Sequence, residues 1–341
     1  MKITILIPCY NEEKTIRQCV ESCLNQTRKP DEVIVIDDGS TDHSPEILAS
    51  MGDAIKVVRT PRNTGNKSRA QQYGLQFVTG DVFITTDGDT LMDSHFVARI
   101  DADFHDPKTV AVTGYVKSLP HNWLTAVREL DYLISQAVHK RAQANMHTLF
   151  IIPGCAGAFR THIFRKHITF DHDTVTEDTD FTFKLHRKSF KIVYDTDAIV
   201  QTQDPPTLHS YTNQMRRWYC GGWQNLLKHY EIVGKPIYAF ELSLLYIEGL
   251  ISSTLILLIP ALNIILFSRF LLVYFMFSLI LGVSGSIIRR RIDLLIYSPL
   301  YSVILLINSF IFLEQFIKVV LLRKHLQFWF KPERTNINVA E

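Results

Sequence analysis

Followed along the chain, apolar and polar positions divide it in two. Up to about residue 236, short apolar runs alternate with amphipathic stretches; beyond it the chain is apolar, with basic clusters between and after the apolar runs. The runs "ITILIP" (3–8), "VIVID" (33–37), "IKVVR" (55–59) and "DVFITTD" (81–87) are apolar and rich in β-branched residues, which predicts four strands. Between them Ile16, Cys19, Val20, Cys23 and Leu24 recur at helical spacing, "GSTDHSPEIL" looks like a loop entering a helix, and "SRAQQYGLQFV" (68–78) predicts another helix. Strands that are apolar throughout and alternate with helices predict an α/β fold with a parallel sheet covered on both faces. In such sheets ligands bind beyond the carboxyl ends of the strands, so the residues that follow each strand are the ones to inspect.

From about 105 to 235 the pattern is mixed. "AVTGYV" (111–116) predicts a strand, "NWLTAVRELDYLISQAVHKRAQ" (122–143) a long amphipathic helix, "GCAGAFR" (154–160) a turn of small residues, and "FTFKLHRK" (181–188) a helix. Three apolar stretches follow, near 238–259, 264–288 and 294–318, the first carrying Glu241 and Glu248 and the second Arg269. A spanning helix needs about 20 apolar residues, and each stretch is about long enough. Pro260 and Asn263 predict a turn between the first two. The expected organisation is a cytosolic domain over 1–236, a membrane region over 237–322 and a basic tail over 323–341. Arg289, Arg290 and Arg291 favour the cytosolic side, where a second crossing returns them. A third crossing then puts Arg323, Lys324, Lys331 and Arg334 outside, against the same tendency; either the tail is an exception or one stretch lies at the interface, the run before Pro260 being the first choice.

Composition narrows the function classes. Lys+Arg 36 against Asp+Glu 34 gives a net charge of +2, which argues against a nucleic-acid partner. The five cysteines (9, 19, 23, 155 and 220) form no CxxC pair, which argues against a disulfide framework or a zinc site. "MKITILIP" runs straight into "CYNEEKT" without the pattern of a signal peptide, which places the N-terminal part in the cytosol.

Candidate chemistry sits where the sheet argument puts it. "TTDGDT" (85–90) follows a strand: Asp87 and Asp89 are two residues apart and Gly88 permits a tight turn. Two hard carboxylates there suit Mg²⁺ or Mn²⁺ bridging a diphosphate, although Asp-Gly-Asp is also turn chemistry. "VIDDGSTD" (35–42) brings Asp37 and Asp38 to another strand end, able to accept hydrogen bonds from a base or ribose. "TED" (176–178), followed by Asp180, crowds carboxylates; crowding raises at least one pKa, which suits a general base, and first-turn acids on a helix are the alternative. In "QMRRW" (214–218) helical spacing puts Gln214, Arg217 and Trp218 on one face.

Together "ILIPCYNEE", "VIDDGSTD", "GNKSRAQQYG", "DGD", "AVTG", "TED" and "QMRRW" resemble, in order, the motifs of family 2 glycosyltransferases. The Q-x-x-R-W pattern resembles the processive branch that makes cellulose, chitin, hyaluronan and poly-N-acetylglucosamine; "VTEDTDFTFKL" and "PGCAGAFR" are similar to the last of these. The resemblance implies a GT-A fold, a UDP-sugar donor, and inverting transfer to the end of a growing β-linked polysaccharide. It implies a uridine site at Pro8, Tyr10 and Glu12, uracil contact by Asp38 and a place for Lys67 near the nucleotide. Asp87 and Asp89 would hold Mg²⁺ or Mn²⁺ and the diphosphate, Asp89 being the more direct ligand. Asp178 would be the base, and Glu177, Gln214, Arg217 and Trp218 the acceptor and pyrophosphate side. Three features depart from that branch: no apolar stretch precedes the first motif, Gln72 stands where an Asn is expected, and Ser68 where a small Ala is expected. So short a membrane region implies an oligomer or export partner, or favours transfer of one sugar to a lipid carrier or glycolipid; the alternative of another class is an inactive sugar-nucleotide-binding scaffold subunit of an export complex.

Overall fold

A computed structural model describes residues 1–119 and 121–324. Its first quarter alternates as the pattern requires: β1 (Ile3–Cys9), α1 (Ile16–Leu24), β2 (Glu32–Asp37), α2 (Ser44–Ala49), β3 (Lys56–Arg59), α3 (Lys67–Leu75) and β4 (Val82–Thr85). β3, β2, β1 and β4 lie side by side and parallel. Ile3, Ile5 and Ile7 pack with Ile16, Cys19, Val20 and Cys23 of α1 on one face. Leu6, Ile34, Ile36 and Phe83 pack with Ala70 and Leu75 of α3 on the other. A core on each face is why these strands are apolar at every position. α3 approaches so closely that a Cβ on Gly74 would lie 2.2 Å from Ile36 Cδ1.

The next part contains β5 (Thr90–Met92), α4 (Phe96–Asp103), β6 (Thr109–Ser118), α5 (Trp123–Ile134), a π-helical segment (Ser135–Lys140), α6 (Arg141–Asn145), β7 (Gly157–Arg160), α7 (Thr161–His167), α8 (Glu177–Arg187), β8 (Lys191–Thr202) and α9 (Leu208–Lys228). The sheet order is β3-β2-β1-β4-β7-β6-β8-β5. The four strands expected to be parallel are so, and the sheet becomes mixed beyond them: β7 is antiparallel to both β4 and β6, and β5 to β8. The second half of "GCAGAFR" is therefore a strand rather than a turn. Its small residues answer to crowding, since a Cβ on Gly157 would come within 3.0 Å of Ile152 and Phe159. β8 escapes a pattern search because Asp195 and Asp197 break its alternation and its pairing with β6 shifts register between Thr113 and Tyr115.

The C-terminal part holds α10 (Pro236–Leu242), α11 (Glu248–Leu262), α12 (Ile264–Arg289) and α13 (Ser298–Phe316). With the π and 3₁₀ turns that join them, these make three helices long and apolar enough to cross a membrane: Pro236–Leu262, Ile264–Arg289 and Ile292–Leu321. Asn263 alone separates the first two; its carboxamide accepts from the Ile265 and Leu266 amides, and Pro260 stays inside α11. Leu262, Ile264 and Ile265 at this tip are exposed. The other end of α12 is held to the N-terminal domain, Arg289 lying over Tyr115 at 4.2 Å and Arg291 3.3 Å from Glu129.

α13 runs beside α9: Tyr211 Oη donates to Asn308 Oδ1 at 2.8 Å, Arg216 pairs with Glu314 at 3.0 Å, and Trp223 meets Phe316 at 5.0 Å. The run before Pro260 also touches the domain, through Tyr238 and Glu241. Lys331 and Arg334 of the expected tail lie outside the described residues.

Candidate active site

Three adjacent strands end at one place. β1 delivers Pro8, Tyr10 and Glu12; β2 delivers Asp37 and Asp38; β4 delivers Asp87-Gly88-Asp89. Asn11 turns the first loop at φ +56° and Gly39 the second at φ +74°. A Cβ on Gly88 would meet Glu12 Cγ at 3.1 Å and Pro8 O at 3.5 Å, so the acidic turn nests under the 8–12 loop. Tyr10 is exposed at the mouth, and Asp89 is buried. Asp38 accepts from Thr60 Oγ1 at 2.9 Å, Thr64 N at 3.0 Å and Thr64 Oγ1 at 2.8 Å, and so fastens the 60–64 segment. Gln72 accepts from the Phe170 amide at 2.9 Å, which gives this departure a structural use.

Lys67, the first residue of α3, joins this side to the second acidic motif. Its Nζ lies 2.5 Å from Asp87 Oδ1 and 3.1 Å from Glu177 Oε1. Burial works against the ammonium, but Asp87 and then Glu177 outweigh it and hold its pKa above the ordinary value. Gly154 leaves the room: a Cβ there would stand 2.7 Å from Nζ.

Asp178 opens α8. It keeps some accessible surface yet lies deep among protein atoms. That burial, then Glu177, pushes its carboxyl up to about 6, against the pull of Lys67, the Thr179 amide and Arg217. A carboxylate that is largely deprotonated at neutral pH and still basic enough to take a proton is suited to a general base. Asp180 does not belong with it. Its carboxylate turns to Lys184 at 2.7 Å, Lys228 at 2.7 Å and His229 at 2.8 Å. Burial raises its pKa, but His229 and Lys184 overcome this and leave it below the usual carboxylate range. Oxygens of Asp171, Asp173 and Asp180 converge within 4.8 Å, but Lys228 and Lys184 supply the positive charge there, which makes an ion-pair network.

α9 carries the third motif. Gln214 is buried, with Oε1 lacking a hydrogen-bond partner among the described residues. Arg217 is close enough to Asp178 to lower its pKa. Trp218 is half-buried, with the Arg128 guanidinium 5.3 Å from its ring centroid.

The same helix clamps the segment bearing Glu177 and Asp178. A Cβ on Gly221 would fall 2.1 Å from Thr176 Oγ1. Asn225 Nδ2 donates to Thr176 O and Oγ1, each at 3.0 Å, and Gln224 Oε1 accepts from Val175 N at 3.0 Å. Sequence reasoning missed Gly221 and Asn225; the glycine pair one turn after "QMRRW" was the available signal. Gly221→Ala is expected to displace Thr176 and the two acids after it. With Asp178 as the base that the motif implies, steady-state kinetics should show turnover reduced at least about tenfold with nucleotide affinity kept, since a displacement of about 1 Å can cost about a hundredfold.

The acidic turn fits a divalent cation. Asp87 and Asp89 offer hard oxygen donors on one short turn, and the Lys67 ammonium already leans on Asp87 as a counter-charge. Their place at the strand ends beside the 8–12 loop is where a nucleotide diphosphate would lie.

Comparison with known proteins bears on the fold and the family. Residues 4–168 match the glycosyl transferase family 2 model. The chain is 29% identical over 254 residues to a poly-beta-1,6-N-acetyl-D-glucosamine synthase of Staphylococcus aureus (strain COL), covering 73% of this chain and 61% of the relative. The Staphylococcus epidermidis synthase of the same name is 28% identical over 232 residues, covering 67% and 56%. The chain thus spans about three fifths of the length of these curated relatives. Among solved structures, the mannosyltransferase PcManGT from Pyrobaculum calidifontis, in complex with GDP-Man and Mn²⁺, superposes with a TM-score of 0.62 at 18% identity, over 89% of this chain and 87% of that one; it shares the fold. The ordered motifs and these likenesses converge: residues 4–168 match glycosyl transferase family 2, and the chain is similar over most of its length to polysaccharide synthases.

Proposed function

We propose that this protein transfers a sugar, N-acetylglucosamine by its relatives' names, from a UDP-sugar to the end of a β-linked polysaccharide at the cytosolic face of a membrane, with inversion. The observation that carries the reading is the pair of acidic motifs on separate segments. Asp87 and Asp89 lie on one, and Asp178 on the other, with Lys67 between. Single displacement needs the acceptor to attack opposite the leaving UDP, so the base and the diphosphate site must belong to different segments. Asp178 takes the acceptor hydroxyl proton. Lys67 and Arg217 place positive charge between base and leaving group, and Arg217 is suited to bidentate phosphate contact. Asp87 and Asp89 would hold Mg²⁺ or Mn²⁺, which when bound stabilises charge on the departing diphosphate. Glu177 holds Lys67 in place. Trp218 offers an apolar ring with a polar edge to the acceptor sugar, with Gln214 one turn away on the same face. Pro8, Tyr10, Glu12 and Asp38 line the nucleotide side.

A panel of UDP-sugars, read by UDP release with Mg²⁺ or Mn²⁺ present, tests the reading. Release is expected with a UDP-N-acetylhexosamine and metal; none with any UDP-sugar sinks it. A second reading keeps the chemistry and passes one sugar to a lipid carrier. It is favoured by a membrane region of three helices among the described residues, one of them packed along α9. A radiolabelled product that extracts into organic solvent would establish it.

A further inference from the structure

We propose that Arg128 is the positioning residue for Trp218, fixing the indole that supports the acceptor and tying it to the third apolar helix; this rests on the acceptor role given to Trp218 above. Arg128 lies on α5 and is 1% exposed, among the largest fully buried side chains of the molecule. Three rings surround its guanidinium: Tyr132 at 4.8 Å, Trp218 at 5.3 Å and Tyr211 at 5.4 Å from the guanidinium carbon. Nε donates to Asp204 Oδ1 at 3.2 Å, and Tyr132 Oη donates to the same oxygen at 3.2 Å. Nη1 donates to Asp131. Nη2 is buried without a hydrogen-bond partner, among the three rings.

A planar cation stacks on an indole where an ammonium or an aliphatic chain does not, and full burial of a charge is costly unless its pairing is specific. An apolar residue would fill the same space among Tyr132, Tyr211 and Trp218 without that cost. What the guanidinium adds is direction. Asp204 holds its Nε and Asp131 its Nη1, which fixes the cation beside the Trp218 ring. The pinning reaches the membrane region: Asp131 Oδ1 accepts from Tyr301 Oη at 3.2 Å, and Tyr211 donates to Asn308, both partners standing on α13. The acceptor platform and the apolar helix beside it are thereby one packed unit.

The test uses the full chain in lipid nanodiscs, as Arg128→Met and Arg128→Lys, each with and without Trp218→Ala. In 5-fluorotryptophan-labelled protein the Trp218 ¹⁹F resonance, identified by its loss in Trp218→Phe, is expected to shift in Arg128→Met while those of Trp123 and Trp223 stay. This arm needs no turnover, so a wild type that is inactive with every donor counts against the proposed function and not against this inference. In the active protein the acceptor KM is expected to rise about tenfold with the UDP-sugar KM unchanged, and Arg128→Met should add nothing once Trp218 is alanine. An unmoved Trp218 resonance, equal losses on both substrates, or additive losses in the double variant would overturn the inference. If Arg128→Met does not fold, Arg128→Lys carries the test, because it keeps the charge at Asp204 and loses the planar stack; a wild-type resonance and acceptor KM in that variant would contradict the proposal.

Discussion

Asp178→Asn will abolish sugar transfer, lowering kcat by at least about a hundredfold and up to about ten-thousandfold, the range a positioned general base contributes. UDP-sugar binding should survive, because Asp87, Asp89 and the 8–12 loop are untouched and Lys67 keeps its contacts with Asp87 and Glu177. Isothermal titration with UDP alongside turnover separates the two effects; unimpaired turnover would remove Asp178 as base. The same group predicts a pH limb. Its carboxyl stands at about 6 in the folded protein, so kcat should rise as pH passes through that region from below.

Stability should run the other way. The folded value lies above the unfolded one near 4, so the native state holds the proton more tightly. The stability this group contributes is full below about pH 4 and is lost as pH rises through 6. Asp178→Asn should therefore raise the Tm at pH 7.5, by a stability gain on the order of 2 kcal/mol, and leave it almost unchanged at pH 4. An active-site carboxylate that weakens its own fold at working pH is the signature sought; a purely structural acid would lose stability on the same substitution.

The second large effect concerns the acidic turn. Asp89→Ala, or removal of divalent metal from the wild type, is expected to reduce UDP release by at least about a thousandfold, because charge on the leaving diphosphate is then uncompensated. Asp87→Ala should be as severe for a second reason: it frees Lys67 from its 2.5 Å partner beside Glu177. Restoring Mn²⁺ should recover the chelated wild type and not Asp89→Ala. Activity that persists in chelator would refute metal dependence while leaving Asp178 in place as base.

The residues that follow strands were legible because their cause is local. An apolar strand followed by Asp-Asp-Gly or Asp-Gly-Asp announces itself within ten positions, and Gln214, Arg217 and Trp218 share a face by helical spacing alone. What depended on contacts distant in sequence was not legible. The antiparallel insertion of β7 between β4 and β6 is a pairing choice that no local pattern encodes. β8 hid behind two aspartates and a register shift. Asp180 stands two residues from Asp178 yet faces Lys184 of α8, Lys228 at the end of α9 and His229 just after it, which only the packing reveals. Gly221, Asn225 and Arg128 are ordinary letters until the helices meet; they hold the acids and the indole in place from 40 or more positions away in sequence. Lys67 was assigned to the nucleotide side from its motif; that it also reaches Glu177 required the fold.

Extension of a polymer by this site is tested by the mass spectrum of the product that the purified full chain forms in nanodiscs from UDP-N-acetylglucosamine, Mn²⁺ and a short acceptor. A ladder of successive N-acetylhexosamine additions is expected, with one UDP released per step. A product only one residue longer than its acceptor, at any donor excess, would rule out extension.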